Sequence, residues 1–351
     1  MTVNPMISVL IPTYRRAHLL KHVLEGLTKQ TFKGFEVIVV LKPSGDGTES
    51  IVKKYEERLN IKQVTQNQGF IVDALNLGFQ HVQGRIIVFL DDDAVPFPDF
   101  LQRHLESYVQ GNVGGVAGDV IPANLTDKGL TPKNGELSEI VLRDKPFLDR
   151  IGRKIWAKPL EGLEDYFVYI SKSGVVEYNY DVSRFASQQV VRSILGMGAN
   201  MSVLSKAIKD FRFPRLWILG LAWEQFLGWY IWKKGYNVFF TPKAKVHHIA
   251  HGQTLTRHIR DAKKDMLRLI ENNLLFYRLY ETEPQLSKMH RVIWLVYVVL
   301  LSIKKICKDK ELRRTTQLKS IFYSEIIGLK WLLSRRICGK YNPLADLEKF
   351  L

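Results

Sequence analysis

The hydrophobic positions of the first 120 residues switch between two periods. Ile7-Ser8-Val9-Leu10-Ile11 is a short apolar run closed by Pro12, as a buried strand would be. Over residues 17–30, Leu20, Val23, Leu24 and Leu27 recur at the spacing of one helix face. The alternation then repeats: a β-branched run at 35–41, a helix at 47–59, a short strand at 61–65, a helix at 70–82 and a strand at 85–90. A helix over 98–109 begins with proline, where a missing N–H costs little, and a strand at 113–120 closes the series. Continuous apolar strands alternating with amphipathic helices predict an α/β fold with a parallel sheet covered on both faces.

From residue 121 to 195 the pattern breaks. Residues 166–170 and 175–180 suit a hairpin across Ser-Lys-Ser-Gly, 216–234 a Trp-rich helix, and 236–240 a strand before Pro242. Past residue 257 the chain reads as helices at 266–280, 292–303 and 321–333. The pattern divides the chain into 1–251, with halves 1–120 and 121–251, and a helical region 252–351. The longest apolar run, 292–303, is interrupted only by Ser302. It falls short of the roughly 20 residues a helix needs to span a bilayer.

Charge adds a second layer. The 351 residues carry a formal net charge of +16, and from Gly252 onward 20 Lys and Arg face 10 Asp and Glu. Such a balance favours anionic partners. Arg291, Lys304, Lys305, Lys308 and Lys310 surround the 292–303 run, and Lys319, Lys330, Arg335, Arg336 and Lys340 accompany the next amphipathic stretch. Basic amphipathic helices suit peripheral contact with a membrane's inner face; a lid with a solvated basic face is the alternative. No nucleic-acid motif accompanies the charge, so no nucleic-acid partner is expected. Cys307 and Cys338 are the only cysteines and no leader pattern precedes Ile7, which together point to a reducing, cytoplasmic setting.

The sharpest chemical signal is Ile86-Ile87-Val88-Phe89-Leu90 running into Asp91-Asp92-Asp93. Three adjacent carboxylates repel one another unless a cation lies between them. The carboxyl end of a parallel strand is where α/β sheets bind ligands, and hard divalent cations take oxygen donors there. A divalent cation (Mg2+ or Mn2+) would neutralise a diphosphate. An exposed acidic turn is the bland alternative. His247, His248 and His251 cluster near a strand end, where at most one or two can share a site. Arg15 and Arg16 follow the first strand, as phosphate contacts or as a solvated helix start.

These motifs occur in an order that resembles the family 2 glycosyltransferases, over residues 7–251. The opening Ser8-Val9-Leu10-Ile11-Pro12-Thr13-Tyr14 is similar to the family's first strand and nucleotide-contacting turn. Ser44, Asp46, Gly47 and Thr48 resemble the end of its Asp-Asp-Gly-Ser-x-Asp-Gly-Thr signature. Asn67, Gly69, Ala74, Asn76 and Gly78 resemble its spaced Asn/Gly pattern, and Asp91–Asp93 its Asp-x-Asp motif. Gly198-Ala199-Asn200-Met201 resembles the acceptor-side loop, and Pro242-x-Ala244-x-Val246-x-His248 the strand that ends in histidine. A gapless count back from Gly235-Tyr236 puts the family's catalytic base on Glu224, with Trp223 and Phe226 replacing the flanking acids.

The resemblance implies a GT-A fold: a mostly parallel nucleotide-binding sheet flanked by helices, here with a helical C-terminal extension. It implies an inverting glycosyltransferase with a nucleotide-diphosphate sugar donor and a glycan or polyprenyl-linked acceptor. Donor contacts would be Pro12, Thr13, Tyr14, Arg15, Asp46, Asn67, Gly69, Asn76, Asp91 and Asp92. Metal ligands would be Asp91, Asp93 and His248, and acceptor contacts Gly198, Ala199, Asn200 and Trp223. Apolar neighbours of Glu224, among them Trp217, Trp223, Phe226 and Trp229, would raise its pKa and make it a better base. Lys42 stands where the family's uracil-recognising aspartate belongs, which counts against a uridine donor and leaves guanosine and thymidine open. Two other readings stay open: an inactive binding module at the membrane surface, and a sugar nucleotidyltransferase. The latter would want a glycine-rich, lysine-bearing loop where Thr13-Tyr14-Arg15-Arg16 stands.

Overall fold

The computed structural model describes residues 5–109, 111–127, 129–132, 153–179, 190–196, 198–214, 220, 222–250, 271, 279, 282–308, 326 and 330, with 301–308 as backbone only. The helices expected at 266–280 and 321–333, together with His251, Trp217, Lys310, Lys319, Arg335, Arg336, Lys340 and Cys338, lie essentially outside the described residues.

The order is β1 (Ile7–Thr13), α1 (Ala17–Thr28), β2 (Phe35–Leu41), α2 (Thr48–Tyr55), β3 (Ile61–Thr65), α3 (Ile71–Gly78), β4 (Ile86–Leu90), β5 (Ala94–Pro96), α4 (Phe100–Glu106), β6 (Val113–Thr126) and β7 (Gly129–Pro132). It continues with β8 (Val168–Ile170), β9 (Val176–Tyr178), β10 (Val191–Arg192), β11 (Asn200–Leu204), α5 (Trp223–Lys233), β12 (Asn237–Ile249) and α6 (Lys288–Lys308). The main sheet runs β10-β12-β6-β11-β4-β1-β2-β3, with β5 on β12 and β7 on β6.

The first half follows the hydrophobic pattern. β1 pairs in parallel with β2 and β4, and β2 with β3. Successive side chains leave opposite faces. Val9 and Ile11 join Leu20, Val23, Leu24 and Leu27 of α1 on one side. Leu10 joins Val72 and Leu75 of α3, Phe89 and Trp223 on the other. The sheet is not wholly parallel, however: β11 lies between β4 and β6, antiparallel to both. β12 runs past Pro242 to Ile249 and absorbs the interruption in a register shift between Thr241 and Lys245. The expected hairpin forms as β8–β9.

Candidate functional site

The acidic residues sit in a turn rather than in continued strand. Ala94 N–H donates to Asp91 O at 3.1 Å, and β5 then starts at once. β5 pairs antiparallel with β12, which sets His248 opposite Ala94, and Ile249 N–H donates to Asp93 O at 2.9 Å. The pairing brings His248 Nε2 to 3.2 Å from Asp93 Oδ1. One ligand atom each from Asp91, Asp93 and His248 lie within 4.8 Å of one another. His247 leaves the strand's other side and meets the Phe97 ring at 4.6 Å.

The electrostatics of this corner favour a cation. Arg16 Nη1 sits 2.7 Å from Asp92 Oδ1 and 3.0 Å from Asp93 Oδ2, so one guanidinium pairs with two of the three carboxylates. Burial first, then the Asp93 charge, push the Asp91 carboxyl up to about 7. Burial opposes a charge on His248, but the Asp93 carboxylate lifts its pKa. Two carboxylates and one imidazole form a donor set suited to Mg2+ or Mn2+, and one arginine leaves negative charge for a divalent ion to neutralise.

Glu224 lies in the first turn of α5, after Ala222 in a left-handed backbone conformation (φ 59°). Its Oε1 accepts from Gly198 N–H at 3.1 Å. The approach needs glycine: a Cβ on Gly198 would stand 2.6 Å from Trp223 Cζ2 and 3.1 Å from Glu224 Oε1. Burial, with a small addition from Asp91, pushes Glu224 up to about 8 despite the Gly198 bond, which lowers it. A carboxyl that titrates near neutrality can accept a proton and later release it.

The strand that follows Gly198 is clamped by a chain whose direction is fixed. Asn200 Nδ2 donates to the carbonyls of Asp119 (2.7 Å) and Ala244 (2.9 Å). Its Oδ1 must therefore accept, so His104 Nε2, 2.9 Å away, carries the proton. His104 Nδ1 then accepts from Ser202 Oγ at 2.9 Å, and Ser202 accepts from Tyr108 OH at 2.9 Å. Burial holds His104 neutral, with its pKa down to about 4.

Residues 8–161 match the family model described as Glycosyl transferase family 2. This stretch, somewhat under half of the chain, is similar to that family. It is similar to validoxylamine A glucosyltransferase from Streptomyces hygroscopicus subsp. jinggangensis, 38% identical over 108 residues, 30% of this chain and 26% of that protein. It is also similar to glycosyltransferase AglE from Haloferax volcanii, 33% identical over 121 residues, 33% of this chain and 40% of that one. The chain thus spans between a quarter and two fifths of the length of these curated relatives. The fold is that of the GT-A glycosyltransferases: it superposes on mannosyltransferase PcManGT from Pyrobaculum calidifontis, solved with GDP-Man and Mn2+, with a TM-score of 0.51. That match is 16% identical and covers 95% of this chain and 88% of that one.

Within this family 2 frame, the residues expected at the site divide into two groups. Asp91, Asp93 and His248 meet, and Glu224 lies close enough for the Asp91 charge to act on it. Tyr14, Lys42 and Gly69 also meet: Lys42 Nζ is 3.2 Å from Gly69 O and 5.5 Å from the Tyr14 ring centroid, with Arg15 5.0 Å from the same ring. Pro12 is half-buried beside them and Asn67 is exposed on the loop before α3. Gly69 itself has φ +96°, and a Cβ there would strike Asp73, which caps the Phe70 N–H.

A second group is already engaged by other parts of the chain. Asp92 is buried and accepts from Thr13 Oγ1 at 2.7 Å as well as from Arg16. Asp46 accepts from Ala17 N, Thr48 and Ser44; burial would raise its pKa, but these bonds hold it down to about 2. Asn76 exchanges two hydrogen bonds with the Phe213 backbone. Ala199 and Asn200 are buried, and Trp223 packs between Phe89 and Phe213, its ring 5.7 and 5.4 Å from theirs. Asp92, Ala199, Asn200 and Trp223 pack into the wall of the site, whereas Asp46 stays exposed and Asn76 half-buried. Arg16 is held in the acidic cluster rather than at a solvated helix start. Sequence reasoning missed His104, which no motif marks.

Proposed function

We propose that this chain is an inverting glycosyltransferase that moves a sugar from a nucleotide-diphosphate donor to a hydroxyl of a glycan or polyprenyl-linked acceptor. The observation that carries the reading is the convergence of Asp91, Asp93 and His248 at the end of β4, beside a Glu224 carboxyl lifted to about 8. Asp91, Asp93 and His248 would hold a divalent cation. When bound, it would supply positive charge to the leaving diphosphate. Glu224 would take the proton of the acceptor hydroxyl as its oxygen bonds to the anomeric carbon. The bond from that carbon to the diphosphate oxygen breaks on the opposite face, and the nucleoside diphosphate leaves. Arg16, Thr13 and Asp92 fix the acidic turn; Gly198 fixes the Glu224 carboxyl through its N–H.

The donor's base would lie near Tyr14, Lys42 and Gly69. An ammonium donates and cannot accept, so Lys42 cannot take up the N–H of a uracil as a carboxylate would. The net positive charge from Gly252 onward supports an enzyme held at the cytoplasmic face of a membrane. The test is calorimetry with UDP, GDP and dTDP, each with Mg2+, with Mn2+ and with chelator, repeated on Asp91→Ala/Asp93→Ala. Cation-dependent binding of one nucleotide, lost in the variant, is the expected outcome. If no nucleotide binds under any condition, the donor site as drawn is wrong.

A further inference from the structure

α6 has two unlike faces. Trp294 and Tyr297 pack toward the body, where Tyr297 stacks on Trp156 at 5.3 Å, and Arg291 is buried against the Trp294 ring, 4.1 Å from its centroid. On the other side Met289, Val292, Val296 and Leu300 are 64%, 56%, 53% and 59% exposed. Their spacing of three, four and four residues keeps them on one line about 16 Å long. An isolated exposed valine means little, but a continuous apolar line on one helix face marks an interaction surface.

We propose that this line is the chain's seat on an anionic lipid bilayer, with α6 lying flat in the headgroup region. The proposal deepens the membrane part of the proposed function and rests on it. Charge selects the occupant. Besides the inward Arg291, the 21 residues of α6 include Lys288, Lys304, Lys305 and Lys308 and no acidic residue. A second copy docked through the same face would set these like charges against each other, whereas anionic lipid neutralises them. No described helix is long and apolar enough to cross a membrane, so α6 lies on the bilayer.

The seat is also tied to the candidate base. Glu283, just before α6, pairs with Lys233 at 3.0 Å and accepts from Trp229 Nε1 at 3.3 Å. Lys233 and Trp229 are on α5, which begins with Trp223 and Glu224. Docking α6 would therefore set the angle at which the Glu224 end of α5 meets the membrane surface and any acceptor carried there.

The experiment is co-sedimentation of the full chain with vesicles of phosphatidylcholine alone and with about 30% phosphatidylglycerol, at low and high salt. It is run for the parent, Val292→Glu/Val296→Glu and the milder Val292→Ser/Val296→Ser. The parent should bind the anionic vesicles, about tenfold more weakly with Glu and several-fold more weakly with Ser. Cation-dependent nucleotide binding, measured on the same samples, should stay within twofold, so loss of the seat and loss of the donor site are told apart. Equal vesicle binding by parent and variants would assign it to the basic charge alone and overturn the proposal. So would a parent that ignores anionic vesicles, or one that is a dimer which the variants split.

Discussion

Glu224→Gln separates the two demands placed on this side chain. The carboxyl ordinarily titrates near 4.5 and is lifted to about 8 in the folded chain. Because the folded-state pKa lies above the unfolded one, the contribution to stability is fully present below 4.5 and is lost as pH rises through 8. Each pH unit in that window removes about 1.4 kcal/mol, with a ceiling of about 5 kcal/mol. Glu224 is only half-buried, and water reaching it reduces the effect to about 1–2 kcal/mol. Glutamine keeps the shape and the Oε1 acceptor for Gly198 N–H, and carries no charge at any pH. Thermal melts in chelator should therefore show parent and variant alike near pH 4.5, with the variant higher by about 1–3 °C at pH 8.5. Sugar transfer by the same variant should fall by about 10²–10⁴ in kcat, with nucleotide affinity unchanged. A variant that melts at or below the parent across the whole range would refute the reasoning, because the carboxylate would then not be desolvated.

Asp91→Asn/Asp93→Asn should abolish cation-dependent nucleotide binding by calorimetry, and in chelator it should melt slightly higher, since mutual repulsion of the carboxylates is relieved. Gly198→Ala should lower stability by about 1–3 kcal/mol through its contact with Trp223 and should reduce kcat more than it changes KM, as Glu224 is displaced. His104→Phe would leave Asn200 Oδ1 and Ser202 without their buried partner and should cost about 2–4 kcal/mol in denaturant titration. In the parent, His104 has its pKa lowered from 6.5 to about 4, so its contribution is present above 6.5 and is lost as pH falls toward 4. That acid-side loss, up to about 3 kcal/mol, should be missing in His104→Phe.

The fold was legible where a strand is buried on both faces. β1, β2 and β4 are unbroken apolar runs, and their helices carry apolar residues at helical spacing, so the order β1 to β4 follows from periodicity alone. β11 escaped because Asn200 and Ser202 break its apolar pattern, although Asn200 through Val203 are buried between β4 and β6. Those polar side chains are tolerated there because distant groups satisfy them: Tyr108 and His104, about a hundred residues earlier, and the Asp119 and Ala244 carbonyls. Such a dependence between distant residues leaves no local signature. β5 is three residues with a proline, too short for any period, yet it is the element that carries His248 to Asp93.

The same physics explains which parts of the site could be read. Carboxylates and a histidine at strand ends are conspicuous because their charge is costly to bury without a purpose, and Asp91, Asp93 and His248 do converge. Neutral amides and a capping aspartate carry no such mark. Asn76, Asn200 and Asp46 have the donors and acceptors that a sugar or ribose contact would need, and also those that an unpaired backbone group needs. Sequence cannot separate the two uses, because both need the same atoms at the same loop and helix ends. The separation comes from counting bonds: Asn76 meets both sides of Phe213, Asn200 meets two carbonyls and an imidazole, and Asp46 meets Ala17, Ser44 and Thr48. Asp92 falls on the same side of that division, with one oxygen held by Thr13 and the other by Arg16. The acidic triplet therefore divides its labour, the middle carboxylate anchoring the turn while the outer two converge with His248.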